Sequence, residues 1–480
     1  MAGQFVLGLS ILEGLQEWWP GALEVLVMAG QLILGLSILV GLHEWGHMAA
    51  AKMFGMRVEK YFIGFPPKIF SIQRGETEYG IGAIPLGGFV KISGMIDESM
   101  DTAAMNSEPQ PWEFRSKPAW QRLIVMLGGI IVNVVVGIVI FIVLAYKDGE
   151  QVLSSTELNK YGIVASPMAQ EIGLKTGDKI VKVNNKPYDD FTDIMGPDVF
   201  MGSNSSYTVD RNGEEIQIEI PNNLIEQLAD QDEKRAFILP RAPFKIGELA
   251  PGSNAEKAGI KVDDQIVSIN NTPIRYFDEL QTELKKLKGK ATSVTVQRGA
   301  EQKTLPVEVT PEGTIGFGAQ YMFNFTSVKY TLPEAVAVGA QEAFGVVYNN
   351  IKGFGKIFRG EVSASKALSG PIGIARMFGG IWDWDKFWRL TGLLSMVLAF
   401  MNALPIPALD GGHAVILSYE IISGRKPSDA FLENAQKVGM VLLLGLMAFA
   451  IFNDVWKVIF EGIVQRLAFK NLPSALYNKL

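Results

Sequence analysis

Residues 25–47 read VLVMAGQLILGLSILVGLHEWGH, an apolar run that ends in the motif HExxH. The segment from Val25 to Leu42 carries no charge, and it is long enough for a membrane helix if it continues to residue 54. On a helix, His43 and His47 are four residues apart and share one face, so both can bind one metal ion, with Glu44 beside the first ligand. Polar groups at the end of such a run are costly and indicate function. The stretch therefore predicts a metal site at the end of a membrane span.

Three further apolar runs follow this one along the chain. Leu123–Ala145 has Asn133 as its only polar side chain, and Leu390–Leu409 is uncharged and leads straight into Asp410. Val438–Asn453 is shorter and marginal. A bilayer core needs roughly 20 apolar residues of helix. The sequence thus predicts about four transmembrane helices, within the ranges 22–54, 118–146, 388–422 and 437–462.

Composition excludes several classes of protein. The 480 residues are 48% hydrophobic and carry a formal net charge of -6, so no global basic field attracts nucleic acid. The chain has no cysteine, which excludes disulfide scaffolds, cysteine-ligated zinc, iron–sulfur sites and a cysteine nucleophile. It has only three histidines, and two of them lie in HExxH.

A polar region between the second and third runs contains an internal repeat. Residues 166–191, SPMAQEIGLKTGDKIVKVNNKPYDDF, align without gaps on residues 252–277, GSNAEKAGIKVDDQIVSINNTPIRYF. Each copy indicates a helix, a glycine turn, an aspartate, a β-branched strand and an Asn-Asn turn. The repeat predicts two copies of one β-rich domain, in the ranges 149–235 and 236–322, and its pattern closely resembles PDZ domains. A connecting segment is expected over 323–387.

The third metal ligand is expected from residues 402–413, NALPIPALDGGH, because zinc needs one more protein ligand and an open position. Asp410 is the preferred candidate, since an aspartate at membrane depth requires a cation partner. The two glycines that follow it allow close backbone packing. His413 is the alternative ligand, or a group that orients a ligand. One Zn²⁺ ion is expected.

The range 55–117 is predicted to form a cytoplasmic-side loop with a membrane-associated β-hairpin. Residues 74–92, RGETEYGIGAIPLGGFVKI, indicate strand, turn and strand. A substrate in a bilayer is helical and must unwind before cleavage, so an exposed edge at 77–84 could bind it by strand addition. A purely structural hairpin is the alternative. The candidate substrate-binding residues are Thr77, Tyr79, Ile81 and Ala83, followed by Pro405 and Pro407.

Positive charges orient the predicted spans. Basic residues follow the first span, precede the second and lie between the third and fourth, which places these loops in the cytoplasm and the repeated domains outside. The basic residues of the tail, 463–480, argue for the opposite orientation but weigh less. The N-terminal extension, 1–21, resembles residues 30–45 but lacks the histidines, and it has no basic segment typical of a signal peptide. No role is predicted for the extension or the tail.

Taken together, HExxH, NxxPxPxLDG in a later span and PDZ-like domains between them resemble the site-2 protease family of intramembrane zinc metalloproteases. The paired PDZ copies are similar to its regulator-of-sigma-E type. The resemblance implies zinc on His43, His47 and Asp410, Glu44 as the base, and Asn402 near the reacting carbonyl. It also implies a multi-pass protein of the bacterial inner membrane with periplasmic PDZ domains. Gly64-Phe65-Pro66-Pro67 departs from the family's usual loop.

The resemblance further implies a role in stress response. Its substrates would be transmembrane segments of single-span proteins, namely anti-sigma factors already cut by another protease and remnant signal peptides. The PDZ domains would bind or sterically filter substrate ectodomains. Two other readings stay open, a catalytically inactive membrane-anchored PDZ scaffold and a metal transporter. The scaffold would show no turnover, and the transporter would carry polar groups in several spans.

Overall fold

The computed structural model describes the backbone of residues 21–95, 108–202, 204–229 and 237–470. The extension up to residue 20 and the end of the tail, 471–480, lie outside the described residues. The chain divides into two compact units. The membrane unit comprises Met1–Gly149 and Lys329–Leu480, and the inserted unit comprises Glu150–Val328.

The membrane unit begins with helix α1, Ala22–Met53, which carries HExxH in its last three turns. After the hairpin strands β1, Val58–Arg74, and β2, Thr77–Ile92, a short 3-10 turn leads into helix α2, Ala119–Asp148. The two helices cross at Gly46 and Gly128. A Cβ on Gly46 would lie 2.4 Å from the carbonyl oxygen of Gly128. Small residues permit this close approach, which brings α2 against the histidine face of α1.

Both hairpin strands bend, and each contributes two pairing segments to one antiparallel sheet. Tyr79 pairs with Tyr61 on one side and with Ile72 on the other, and Ile81 likewise pairs on both sides. Among the described strands, residues 88–92 pair with 58–63 alone. The order across the sheet is therefore 88–92, 58–63, 77–81 and 68–74.

This order makes the expected edge at 77–84 wrong, because residues 78–81 are internal and their backbone groups already have strand partners on both sides. Thr77 is buried, and its hydroxyl donates to the carbonyl oxygen of Val58. The side chains of Ile81 and Ala83 are exposed, but exposure of a side chain does not free the backbone beside it. Among the described strands, the outermost segments of this sheet are 88–92 and 68–74.

The inserted unit contains two separate hydrophobic cores, one within 158–238 and one within 244–315. The first core contains side chains of a three-stranded sheet in the order 179–183, 206–211 and 214–219, and the second contains side chains of a four-stranded sheet in the order 272–273, 265–269, 291–298 and 301–308. The strands are β3 Glu150–Val152, β4 Ile163–Ala165, β5 Lys179–Val183, β6 Ser206–Arg211, β7 Glu214–Glu219, β8 Ile238–Pro240, β9 Phe244–Leu249, β10 Gln265–Ile269, β11 Thr272–Pro273, β12 Ala291–Arg298, β13 Glu301–Glu308, β14 Phe317–Tyr321 and β15 Thr326–Val328. The helices are α3 Ser155–Leu158, α4 Pro167–Glu171, α5 Pro197–Phe200, α6 Leu224–Ala229, α7 Asn254–Lys257 and α8 Phe277–Lys286.

The sequence repeat corresponds to a repeated hydrogen-bond network. In the first copy the buried carboxylate of Asp178 accepts two hydrogen bonds from Arg211, which also donates to the carbonyl oxygen of Gly173. In the second copy Asp264 and Arg298 form the same arrangement, with both bonds at 2.7 Å. The Asn-Asn turns of both copies have positive φ, as a tight hairpin turn requires. One local structure therefore occurs twice.

The second part of the membrane unit is helical. The range expected as a connecting segment holds α9 Leu332–Phe358, α10 Ala364–Ala367 and α11 Pro371–Phe378. Of these, α9 packs against α2, where a Cβ on Gly339 would lie 2.5 Å from the backbone nitrogen of Ile142. Helices α12 Trp384–Ala403, α13 Asp410–Ser423 and α14 Asp429–Lys470 complete the unit.

Among the described helices, three are long and apolar enough to cross a membrane: α1, α2 and the Ala430–Val458 part of α14. The expected third span differs, because its helix ends at Ala403 and a new helix starts at Asp410. Pro405 and Pro407 lie in the break, and neither has a backbone N–H to continue a helix. The break places Asp410 at a helix start.

Candidate metal centre and active site

Three side chains from distant parts of the chain meet at one point. His43 Nε2 lies 3.1 Å from His47 Nε2, and Asp410 Oδ2 lies 3.1 Å from the first and 3.3 Å from the second. Both histidines are buried, and the Asp410 side chain is 15% exposed. Among the described residues these three form the group of His, Asp and Glu side chains that could hold a metal ion.

The size of this triangle fits zinc. Tetrahedral zinc with nitrogen and oxygen ligands at 2.0–2.1 Å separates neighbouring ligand atoms by about 3.3 Å. The two imidazole nitrogens and one carboxylate oxygen match that spacing and leave the fourth position open, as a catalytic site requires. Asp410 Oδ2 is also a buried oxygen without a hydrogen-bond partner among the described residues, which a bound cation would satisfy.

Local backbone structure brings Asp410 to the histidines. Gly411 and Gly412 pack on the break before α13, where a Cβ would lie 2.4 Å and 2.3 Å from the carbonyl oxygens of Leu404 and Ile406. This confirms the close packing that the sequence predicted for the two glycines. Ala408 has a φ of 79°, a left-handed conformation that costs an alanine energy. The loop that presents the aspartate is thus tightly turned and strained.

His413 lies away from the ligand group. It is one turn beyond Asp410 on α13, and its side chain forms a hydrogen bond with Gln436. It lines the same cavity as the ligands but does not belong to the metal-binding group. The structure therefore brings Asp410, and not His413, to the two histidines.

The second helix supplies the surroundings of the two ligands. His47 Nδ1 lies 2.8 Å from the carbonyl oxygen of Val125, and His43 Nδ1 lies 3.2 Å from the side-chain amide of Asn133. Between them is Gly129, where a Cβ would lie 2.5 Å from both His47 Nε2 and His43 Cε1. The sequence alone indicates no role for Val125, Gly129 or Asn133. Asn133 could have been found as the isolated polar residue of an apolar run. The carbonyl oxygen of Val125 could not, because a backbone group leaves no signal in the sequence.

Glu44 and Asn402 line a cavity of about 550 Å³ together with the three ligand side chains. The Glu44 carboxylate is half-buried and takes a backbone hydrogen bond from Val90 of β2. Asn402 Nδ2 lies 3.5 Å from His43 Nε2. The two residues that sequence analysis singled out as catalytic therefore lie at the ligand group. A carboxyl group that can act as a base and an amide donor beside a metal-binding group are the components of a hydrolytic site.

The residues expected to bind substrate lie elsewhere. Thr77, Tyr79, Ile81 and Ala83 are absent from the cavity wall, to which the hairpin contributes residues 87–92 of β2 and Lys60, Phe65 and Pro66 of β1. Pro407 lines a separate small pocket, and Pro405 is exposed at the helix break. The part of β2 at the site is therefore its last segment. The signal that could have found it is Gly87-Gly88, since Gly88 is placed where a Cβ would lie 2.8 Å from Val40 of α1.

A buried ion pair joins α2 to α13 near the site. Arg122 at the start of α2 donates to Glu420 of α13 over 2.5 Å, and both side chains are largely buried. Arg122 also donates to the carbonyl oxygen of Lys117. The pair links α13, which carries Asp410, to α2, which packs against the two histidines.

Comparison with known proteins agrees with this chemistry. The model of peptidase family M50 matches residues 31–446, which include the three ligand residues. The regulator of sigma E protease of Haemophilus influenzae is 28% identical over 85% of the chain and 94% of its own length. Metalloprotease MmpA of Caulobacter vibrioides is 29% identical over 85% of the chain and 90% of its own length. A Neisseria meningitidis protein with a zinc metalloprotease name is 28% identical over 86% and 95%.

Proposed function

Because the chain belongs to peptidase family M50, the site-2 proteases, and is a zinc metalloendopeptidase of regulated intramembrane proteolysis, we propose that it cleaves transmembrane segments of single-span proteins. Its proposed substrates are anti-sigma factors already cut by another protease and remnant signal peptides. The observation that carries this proposal is the metal-binding group, whose two histidines lie on α1, a helix apolar enough to span a membrane. A hydrolytic site on such a helix can reach a backbone that lies within the bilayer.

Zinc would be held by His43, His47 and Asp410, whose spacing fits it. When bound, zinc supplies Lewis acidity, which makes water more acidic and polarises a carbonyl group. Glu44 is the proposed general base, because its carboxylate shares the cavity but not the ligand group. It would accept a proton from the attacking water and return it to the leaving amine. The Val90 N–H fixes the carboxylate for both steps.

Asn402 is the proposed donor to the oxygen of the scissile carbonyl. Its amide nitrogen lies beside a ligand nitrogen and faces the cavity. Negative charge develops on the carbonyl oxygen during attack, and a positioned N–H donor stabilises that charge more than it stabilises the neutral substrate. The residue is held by the last turn of α12, next to the break that positions Asp410.

The last segment of β2, residues 88–92, is the proposed substrate-binding strand. The N–H of Val90 points to Glu44, so the outer side of this segment faces the cavity. Outward-facing groups recur every second residue along a strand, which gives Gly88 the same orientation. A helical substrate must unwind to expose its carbonyl to attack, and pairing with this edge replaces the hydrogen bonds that it loses.

The inserted unit is proposed to consist of two PDZ domains that bind or sterically filter substrate ectodomains. The repeated Asp–Arg network and the separate cores support two copies of one domain. The unit contains no histidine and therefore no further HExxH-type site. A filter of this kind would admit a substrate only after its ectodomain has been trimmed.

We further propose four membrane spans, with α12 and α13 as a third, interrupted span. Non-helical backbone is tolerated at membrane depth where it lines a cavity, and the break lies next to the metal-binding group. The basic loops 52–60, 115–122 and 425–426 would face the cytoplasm and the PDZ domains the periplasm of a bacterial inner membrane.

Cleavage in reconstituted membranes tests the proposal. Wild-type protein, Glu44→Gln and Glu24→Gln are placed in lipid vesicles with a single-span model peptide, and mass spectrometry locates the cleaved bond. Glu24 is an exposed glutamate in the first turn of the same helix, so Glu24→Gln makes the same chemical change away from the site. We expect cleavage within the apolar segment by wild type and Glu24→Gln and none by Glu44→Gln. Cleavage only outside the apolar segment, or an active Glu44→Gln, would contradict it.

A further inference from the structure

The side chain of Asn133 is completely buried in the middle of α2 and faces the metal centre. Its amide nitrogen is placed 3.2 Å from His43 Nδ1, while its Oδ1 has no hydrogen-bond partner among the described residues. The two orientations of an asparagine amide have almost the same shape, and the hydrogen bonds around it decide between them. Rotation of the amide by 180° brings Oδ1 to the ring nitrogen.

The metal centre selects that second orientation. His43 Nε2 faces Asp410 and His47, so it is the ligand atom and must carry a lone pair. A neutral imidazole then has its proton on Nδ1, which must donate a hydrogen bond. The group within reach is the side-chain amide of Asn133, and only its oxygen can accept.

We propose that Asn133 is a positioning residue that accepts the Nδ1–H of His43 and thereby holds this ligand in its zinc-binding tautomer and orientation. His47 has the matching arrangement, with its Nδ1 at 2.8 Å from the carbonyl oxygen of Val125. Val125, Gly129 and Asn133 are four residues apart and lie on one face of α2. One helix face thus provides an acceptor for each histidine and, between them, the space that both rings occupy.

A simple packing role does not account for this side chain. Asn133 is the only polar residue of Leu123–Ala145, and burying an amide in such a run is costly unless it is hydrogen-bonded. The tie between α2 and α12 uses its backbone instead, because Ser395 Oγ donates to the Asn133 carbonyl oxygen over 2.7 Å. That tie would persist with any side chain at position 133.

The inference rests on the proposed ligand set, and zinc affinity tests both separately. Competition with a chelator measures the zinc Kd of the purified full chain, and cobalt(II) substitution reports the ligand geometry through its absorption spectrum. Loss of an outer hydrogen-bond partner typically costs 10–100-fold in metal affinity. We expect Asn133→Leu to weaken zinc about 10–100-fold and to change the cobalt spectrum. Asn133→Asp keeps an acceptor oxygen, and we expect it to stay within about threefold of wild type.

A control variant and a replacement variant keep the test decisive. Ser395→Ala removes a buried hydroxyl from the same helix contact without touching His43, and we expect wild-type zinc affinity. Asn133→Ala, which adds no atoms, replaces Asn133→Leu if leucine disturbs folding as judged by circular dichroism. Wild-type affinity in the Leu or Ala variant, or equal losses in the Asp and Leu variants, would overturn the role of Asn133. Full zinc affinity in His43→Ala would instead overturn the proposed ligand set.

Discussion

Replacing Gly129 with alanine would insert one methyl group between the two histidine ligands. The added Cβ would lie 2.5 Å from His47 Nε2 and from His43 Cε1, about 1 Å inside an ordinary contact distance of 3.4 Å. Zinc sites tolerate ligand displacements of about 0.2 Å, so at least one imidazole must leave its binding position. We therefore expect Gly129→Ala to weaken zinc binding by at least about 100-fold and to abolish peptide cleavage.

The assay is the zinc Kd of the purified protein, measured beside its thermal stability. Alanine is a better helix former than glycine, so loss of α2 itself is not expected to explain the effect. Gly137→Ala is the matched control on the same helix, because its Cβ would meet the flexible side chain of Met396. We expect the control to bind zinc within about threefold of wild type. Equal affinity of Gly129→Ala and wild type would refute the placement of α2 against the histidines.

Three further substitutions test the substrate edge, the loop before Asp410 and an ion pair of the inserted unit. Val90→Pro removes the N–H that donates to Glu44 at the proposed substrate edge, so we expect turnover to fall at least about tenfold with zinc retained. Val90→Ala keeps this N–H, and we expect its turnover to stay near wild type. Equal turnover of the two variants in vesicles would argue against the edge. Ala408→Gly should stabilise the protein by about 1 kcal/mol and Ala408→Val should destabilise it, because the φ at this position is positive; melting shifts of the same sign would contradict this. Burial raises the pKa of the Asp264 carboxyl, but Arg298 and the Lys261 amide outweigh burial and hold the pKa below its usual value. The carboxylate therefore stabilises the inserted unit above about pH 4 and loses this effect as the pH falls. Asp264→Asn should lower the melting temperature of the inserted unit at pH 7 and have less effect at pH 3. A difference in melting temperature that does not depend on pH would be inconsistent with the ion pair.

The metal centre was largely predictable because most of its residues can be recognised within short stretches of sequence. HExxH places two ligands and a base on one helix face, and the fold only has to form that helix. Asp410 is far away in the chain, yet an acid at the end of an apolar run indicates a cation partner wherever it is found. The repeated domains were visible for a similar reason, since both copies preserve the residues of one hydrogen-bond network.

The hairpin was harder because strand order depends on pairing between segments rather than on their composition. Residues 77–84 were expected to form an exposed edge, but pairing on both sides places 78–81 inside the sheet, and 88–92 lie at the cavity instead. The sequence signal for the break before Asp410 is Pro405 and Pro407. Both prolines lie within a long uncharged run, and the length of that run indicated one span. The role of Asn133 required knowing which helix face meets His43, and this depends on the crossing at Gly46 and Gly128.

The zinc content of Asp410→Ala, measured beside His413→Ala and Glu44→Gln, shows whether Asp410 completes the ligand group. Elemental analysis of the purified proteins gives zinc per chain without any assumption about substrate. We expect close to one zinc in wild type, His413→Ala and Glu44→Gln, and strong depletion in Asp410→Ala, because only Asp410 among these three residues belongs to the ligand group. Full zinc in Asp410→Ala, or depletion in Glu44→Gln, would contradict the assignment of two histidines and one aspartate as ligands with Glu44 as the base.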